Sequence, residues 1–397
     1  LSVGYYLKQA GREFTILEKS DYPGSAWRED RWDSFCLNTP NWAFRLPGAE
    51  YDGGAPDAFM HLPEIITRFD RYAQQFDLPV QYGVQALGID PVDGGYRVAT
   101  SAGSVTARNV VTAAGLFQSP AFPPFASQLS GDIYQLHSGK YRNPHSLPDG
   151  GVLVIGSAQS GCQIAEELYQ AGRQVYLSVG SAGRLPRRYR GRDIFYWLEQ
   201  MGFFNRTADL LPGLADRFKA NVQVSGTAGG HTINLHRFAR DGVRLVGRLA
   251  GGAGDMIRFL PDLKQNLAYT DRFEQETLRQ LDQLIERSGM TAPPDAVEPM
   301  RDGFTADEVT ELDLRAAGIN TIIWANGYRF DYRWIRLPVF DSAGFPISRQ
   351  GETPSPGLYF AGLPWLPSMK TGLLLGVAEN ARHVAGQIMG ERPDQAV

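Results

Sequence analysis

Apolar residues in this chain fall into short runs joined by glycine turns to segments with helical spacing, and one such order occurs twice. Leu1 to Gln9 reads as an amphipathic helix closed by Ala10-Gly11, where Gly11 can take the left-handed conformation of a helix end without steric cost. A β-branched run, Glu13–Leu17, follows and stops at Glu18. Helix, glycine turn, strand and terminal acid make the second half of a dinucleotide-binding βαβ unit. The first half, a strand and a GxGxxG turn, is expected directly upstream of Leu1. Residues 62–77 carry the spacing of an amphipathic helix, and 80–112 read as strands with a turn at Gly94-Gly95. The second occurrence is complete: Val152–Ile155, the turn Gly156-Ser157-Ala158-Gln159-Ser160-Gly161, a helix to Tyr169, and a strand Val175–Val179. Further on, the pattern predicts a helix near 271–288, a strand Thr321–Ala325, a short strand within 357–362 and a last helix from Thr371 to Met389. The expected fold is therefore α/β, with two nucleotide-binding units in one chain.

The central turn is GxAxxG. Its first glycine makes the strand-to-helix turn, its last lets the helix pack on the sheet, and the middle position lets backbone approach a pyrophosphate at the helix N-terminus. Ala158 adds one methyl group there, so Gly156, Ser160 and Gly161 are the candidate coenzyme contacts. An ordinary glycine-rich turn is the competing reading. At the end of the next strand, Ser178-Val179-Gly180 offers no acid for a free ribose 2′-hydroxyl, while five arginines crowd residues 184–192. Guanidinium groups match phosphate oxygens, so NADPH is favoured, with Arg184 first and Arg187 and Arg188 behind it. A solvated basic loop is the alternative. Glu18 stands where such units bind a ribose, or simply ends an exposed strand. Glu166 and Glu167 read as surface charge.

Composition narrows the class. The 397 residues are 43% apolar and 21% charged, with a net charge of −4, which advertises no basic face for nucleic acid. No apolar run approaches the roughly 20 residues of a membrane span. Cys36 and Cys162 are far apart and form no CxxC, so neither a dithiol redox centre nor a cysteine metal site is expected, and the usage fits a reducing cytoplasm. The chain shows no HExxH and no GxSxG.

Several fragments together resemble the class B flavin-containing monooxygenases, in their bacterial branch. They are Pro23–Arg28, Gln135 to Tyr141 (QLHSGKY), GSAQSG at 156–161, WANGY at 324–328 and GLYFAGLPW at 357–365. The resemblance implies an FAD domain interrupted by an NADPH domain. The boundaries would be 1–145 and 326–397 for FAD, without its first βα, and 146–325 for NADPH with a helical insertion. It places Trp27 and Arg28 beside the flavin ring, and Asn38, Thr39 and Asn41 where a family Asn or Thr faces flavin and nicotinamide. Core packing explains Trp27 equally well. Trp365 and Met369 fall where the flavin would be covered, and an apolar C-terminal contact explains them equally well. The family fingerprint FxGxxxHxxxY is present with two extra residues before His137 and the usual spacing to Tyr141, and Tyr at its end leans toward heteroatom oxygenation. His137 and Tyr141 are thus candidate catalytic residues, with a purely structural linker as the alternative. Asn326 and Gly362 mark the two late glycine turns against the cofactors.

What the resemblance implies is insertion of one atom of O2 into a small organic substrate through a flavin C4a-hydroperoxide. Sulfides and amines are the leading substrates and ketones the next. A reductase or oxidase on the same fold, or a non-catalytic nucleotide-binding protein, are the competing functions. A homodimer is the assembly that analogy suggests.

Overall fold

Five short strands form one parallel sheet in the computed structural model, which describes residues 1–218 and 222–390. Its strand order is Tyr134–His137, Ile319–Trp324, Gly151–Ile155, Val175–Ser178, Arg244–Val246. Every residue of Gly151–Ile155 is buried, as expected for a parallel strand covered on both faces. Its side chains alternate between two cores. Val152 and Val154 join Cys162, Ile164 and Leu168 on one side, whereas Leu153 and Ile155 join Phe259 and Trp324 on the other. Four of these strands lie within the expected 146–325 segment, but Tyr134–His137 precedes that boundary and still pairs in this sheet, with His137 opposite Trp324.

The remaining strands form smaller sheets. Ile16–Leu17 pairs in parallel with Val80–Gln81, and Val110–Thr112 with Leu358–Phe360. The three strands Ala86–Val92, Gly95–Thr100 and Gly103–Ala107 make an antiparallel meander. The helices are α1 Ser2–Gln9, α2 Ser25–Glu29, α3 Leu62–Gln75, α4 Gln159–Gln170, α5 Ile194–Gln200, α6 Leu235–Arg240, α7 Leu263–Ser288 and α8 Val377–Met389. Gly11 has φ +64° just past α1, the left-handed turn its position requires.

Several bounds differ from the sequence reading. The run from Glu13 is a strand only at Ile16–Leu17, the late strand starts earlier, at Ile319, and α7 begins at Leu263 rather than near 271. Residues 369–372 form a separate 3₁₀ turn, so α8 begins at Val377 and not at Thr371. There Thr371 Oγ1 donates to the Leu363 and Ser368 carbonyls, bonds that compete with a helical backbone. The strand expected before Leu1 and the chain after 390 lie outside the described residues. No helix among them is long and apolar enough to cross a membrane, and no group of His, Cys, Asp and Glu among them could hold a metal ion.

Candidate active site

The parallel sheet sets its strand ends side by side, and at the C-terminal ends of Gly151–Ile155 and Ile319–Trp324 two turns meet. In parallel α/β sheets this edge is where ligands collect. The Gly156 turn has φ +108°, and a Cβ there would stand 2.6 Å from the Ala325 carbonyl oxygen. A Cβ on Gly161 would lie 1.8 Å from the Gly156 oxygen. Both glycines are therefore demanded by the close approach of backbone to backbone. Ala158 precedes α4, whose first N–H groups point out of the helix without intrahelical partners. Asn326 is exposed beside this turn.

A strap from the insertion lies over the same turn. Val224 N–H donates to Gln159 Oε1 at 3.2 Å, Gln159 Nε2 donates back to the Val224 carbonyl, and Gln223 Nε2 donates to the Ser157 carbonyl. One turn further along α4, Gln163 Nε2 donates to Asn38 Oδ1 at 3.1 Å. Asn41 is buried on the same loop and donates to the Ala55 carbonyl at 3.0 Å. Asn41 Oδ1, Gln163 Oε1 and Gln223 Oε1 are buried acceptors without a hydrogen-bond partner. Unmatched buried acceptors are uncommon and point to a missing donor. Sequence reasoning singled out Asn38 and Asn41 but missed Gln159, Gln163 and Gln223, whose shared location depends on contacts more than 60 positions apart.

The arginines do not stand free as expected. Arg184 is 3% exposed and grips Glu274 (2.5 Å) and Asp271 (2.9 Å) on α7. Burial acts to lower its pKa, but the two carboxylates outweigh that and hold it raised. Arg187, 1% exposed, pairs with Asp193 at 2.6 Å and donates to the Asn38 carbonyl at 2.6 Å. Arg188 is exposed, with its donors on the Gly229 and Gly230 carbonyls. The cause is composition: an insertion rich in arginine is matched by acids on α7 and at the N-cap of α5 that one-dimensional spacing could not pair with it.

Glu166 is not surface charge either. It is buried and pairs with His231 Nε2 at 2.8 Å, while His231 Nδ1 faces the Thr227 carbonyl at 3.2 Å. With acceptors at both ring nitrogens the imidazolium is favoured, and the bond to Glu166 raises the His231 pKa despite an opposing effect of burial. A group whose pKa is raised on folding stabilises the fold below its unfolded pKa, about 6.5, and that contribution is lost as pH climbs through the folded value. Thermal midpoints recorded from pH 6 to 9 should therefore fall more steeply for the native chain than for His231→Gln. Parallel curves would rule this linkage out.

His137 and Tyr141 come out as fixed parts of the joint between segments. His137 Nε2 donates to the Gly327 carbonyl at 2.8 Å and Nδ1 accepts from Gly139 N–H, so the ring is the neutral Nε2–H tautomer, and burial lowers its pKa. Tyr141 is fully buried, and its hydroxyl donates to Glu167 Oε2 at 2.8 Å. Burial and that carboxylate raise its pKa far out of range.

Around the other two-stranded sheets, Arg28 holds Asp70 at 2.5 Å and stacks on Tyr22, and its Nε is buried without a partner. Trp27 stacks on Phe69 with ring centroids 6.1 Å apart. Glu18 accepts from Ser20 N–H at 2.9 Å, next to the end of Ile16–Leu17. Thr39 is half-buried between Asn38 and Pro40. Gly362 has φ +75° directly beyond Leu358–Phe360, and Thr112 Oγ1, at the end of the paired strand, is a buried orphan. Trp365 points its indole N–H at the Arg217 carbonyl, 3.1 Å away, and Met369 Sδ accepts from Arg206.

The sequence model of the family described as pyridine nucleotide-disulphide oxidoreductase matches residues 1–200. An uncharacterized CzcO-like oxidoreductase of Geobacillus kaustophilus is 32% identical over 391 residues, 98% of this chain and 95% of that protein. The probable indole-3-pyruvate monooxygenase YUCCA3 of Arabidopsis thaliana is 29% identical over 212 residues, 49% of this chain and 47% of its own length. Among solved structures, a flavin-containing monooxygenase from Stenotrophomonas maltophilia superposes with a TM-score of 0.66 at 19% identity, covering 98% of this chain and 94% of that one.

Proposed function

The chain belongs to the pyridine nucleotide-disulphide oxidoreductase family, with the fold of flavin-containing monooxygenases, and from that premise we propose that it is an FAD- and NADPH-dependent monooxygenase. The proposed reaction places one oxygen atom from O2 on a sulfur or nitrogen centre of a small organic molecule. The observation that carries the reading is the Gly156–Gly161 turn at the C-terminal edge of the parallel sheet. Its two closest backbone approaches admit only glycine, and it ends on the open N-terminus of α4.

The residues present suit the two cofactors. The unpaired N–H groups at the start of α4 suit a pyrophosphate, and the orphaned acceptors of Gln163 and Gln223 suit the carboxamide N–H of a nicotinamide. Thr112 and Gly362 stand at the paired ends of Val110–Thr112 and Leu358–Phe360, and the orphaned Thr112 hydroxyl suits a polar atom of a flavin nucleotide. When bound, the flavin supplies the redox and oxygen chemistry, and the protein supplies binding, orientation and exclusion of water. In this role Asn38 and Gln163 tie the 31–44 loop to α4, and Arg187 ties the insertion to the same loop. His137 and Tyr141 fix the joint next to the Gly327 turn, which makes them positioning residues in this reading.

The reading is tested by supplying ¹⁸O2, NADPH and FAD to the protein with a panel of sulfides, amines and ketones. One labelled oxygen atom in the product, with NADPH consumed in equal amount, is the expected result. NADPH oxidation that yields only hydrogen peroxide for every substrate would instead make the protein a reductase or oxidase.

A further inference from the structure

The coenzyme reading leaves a gap at the ribose, and the present inference rests on that reading. In a dinucleotide unit the adenosine ribose stands at the end of the second strand, here Val175–Ser178. A 2′-phosphate at that place needs a cation, yet Arg184 and Arg187 are spent on buried carboxylates. Arg190 holds Asp282, and Arg192 packs over the Tyr196 ring. The residues that do follow the strand, Gly180 and Ser181, carry no charge. A Cβ on Gly180 would meet nothing within 4 Å, so the space before this strand end is open.

The neighbouring strand fills the gap. Arg244–Val246 runs parallel, with Val246 opposite Ser178. The pairing continues past the ladder: Val179 N–H donates to the Val246 carbonyl at 2.9 Å, and Ser178 Oγ donates to the Gly247 carbonyl at 2.9 Å. This register sets Arg248 level with Gly180. A Cβ on Gly247 would lie 1.9 Å from the Leu260 oxygen, so the chain ahead of Arg248 is firmly seated. Asp262, just before α7, takes Arg248 N–H at 2.9 Å and Nε–H at 2.5 Å. One turn on, Asn266 Nδ2 donates to the Val179 carbonyl at 3.0 Å. The first turn of α7 thus clasps both strand ends. The Arg248 side chain is 54% exposed, and among the described residues its Nη1 and Nη2 have no acceptor. A guanidinium anchored through Nε keeps its outer edge available for two parallel bonds to a phosphate.

We propose that Arg248 is the residue that recognises the 2′-phosphate of the nicotinamide coenzyme, in place of the arginines of the 184–192 loop. An arginine held in position loses little side-chain freedom when it takes a ligand, which favours this arrangement over a loose loop arginine.

Calorimetric titration of the whole protein with 2′,5′-ADP and with 5′-AMP separates the phosphate from the rest of the nucleotide. The native chain should bind 2′,5′-ADP more tightly than 5′-AMP. Arg248→Gln should weaken 2′,5′-ADP by roughly 10- to 100-fold, the range of a lost charged hydrogen-bonded contact, and leave 5′-AMP within about two-fold. Arg248→Lys keeps the charge and the stem but not the fork, and should give a smaller loss confined to 2′,5′-ADP. Equal weakening of both ligands by Arg248→Gln, or a selective loss in Arg188→Gln instead, overturns the proposal. Equal affinity of the native chain for both ligands also overturns it, and removes the preference for NADPH over NADH while leaving a nicotinamide-coenzyme site in place. Binding of neither ligand overturns both.

Discussion

Replacing Arg187 by Met is expected to destabilise the protein by about 3–5 kcal/mol, the cost of leaving one partner of a buried ion pair uncompensated. Arg187 is 1% exposed, and its partner Asp193 caps α5 by accepting Phe195 N–H at 2.9 Å. Without the guanidinium the carboxylate must either remain charged in a dry site or take a proton, and burial already pushes its pKa up. The same substitution removes the bond to the Asn38 carbonyl and the packing on Phe59, whose ring centroid lies 4.3 Å from the guanidinium. For a chain of this length such a loss corresponds to a fall of about 5 °C in thermal midpoint. Arg187→Met combined with Asp193→Asn should recover much of it, because no buried charge is then unmatched. A single variant that melts with the native chain, or a double variant no better than the single, would show that the pair contributes little.

The second large effect is expected from Gly161→Ala. Alanine in place of glycine within a helix ordinarily stabilises by up to about 1 kcal/mol. Here the new methyl would stand 1.8 Å from the Gly156 carbonyl oxygen and 3.2 Å from Ala325 Cβ. The first neighbour is backbone, which cannot swing aside as a long side chain can, so the turn itself must open. Forced backbone shifts of this kind cost roughly 1–3 kcal/mol, which outweighs the helical gain. The shift falls on the groups proposed to hold the pyrophosphate, so NADPH affinity should drop by roughly 10- to 100-fold in a fluorescence titration. Unchanged affinity would remove this turn from the coenzyme site.

Local pattern made most of the sheet legible. Val152–Ile155, GSAQSG and the strand from Val175 announced themselves, because a buried parallel strand is a continuous apolar run and its turn needs glycine at fixed offsets. Bounds failed where side chains compete with the backbone, as at Thr371, or where the pairing partner is short, as at Ile16–Leu17. The site was less legible than the fold. The basic stretch after Gly180 looked like a phosphate clamp because Arg184 is neutralised by acids 87 and 90 positions away on α7, and Arg187 by Asp193 at the N-cap of α5, which only the folded turn brings back onto it. Glu166 looked like surface for the same reason, since His231 reaches it from the insertion. Arg248 gave no local signal at all. Its place depends on strand register and on Asp262, neither of which a spacing rule contains.

The order of strands also bears on how the chain is made. Ile319–Trp324 lies inside the sheet, between Tyr134–His137 and Gly151–Ile155, although it is the last of the five to leave the ribosome. At roughly 5–20 residues per second, about ten to thirty seconds separate synthesis of Ile155 from that of Trp324. Throughout that interval two strands carry unpaired edges, one of them entirely apolar on both faces, and such edges are templates for pairing with other chains. The nascent chain therefore carries an open pairing template until Trp324 has been made. Its yield on expression should depend more on the pace of synthesis between residues 155 and 324 than on the stability of the finished fold.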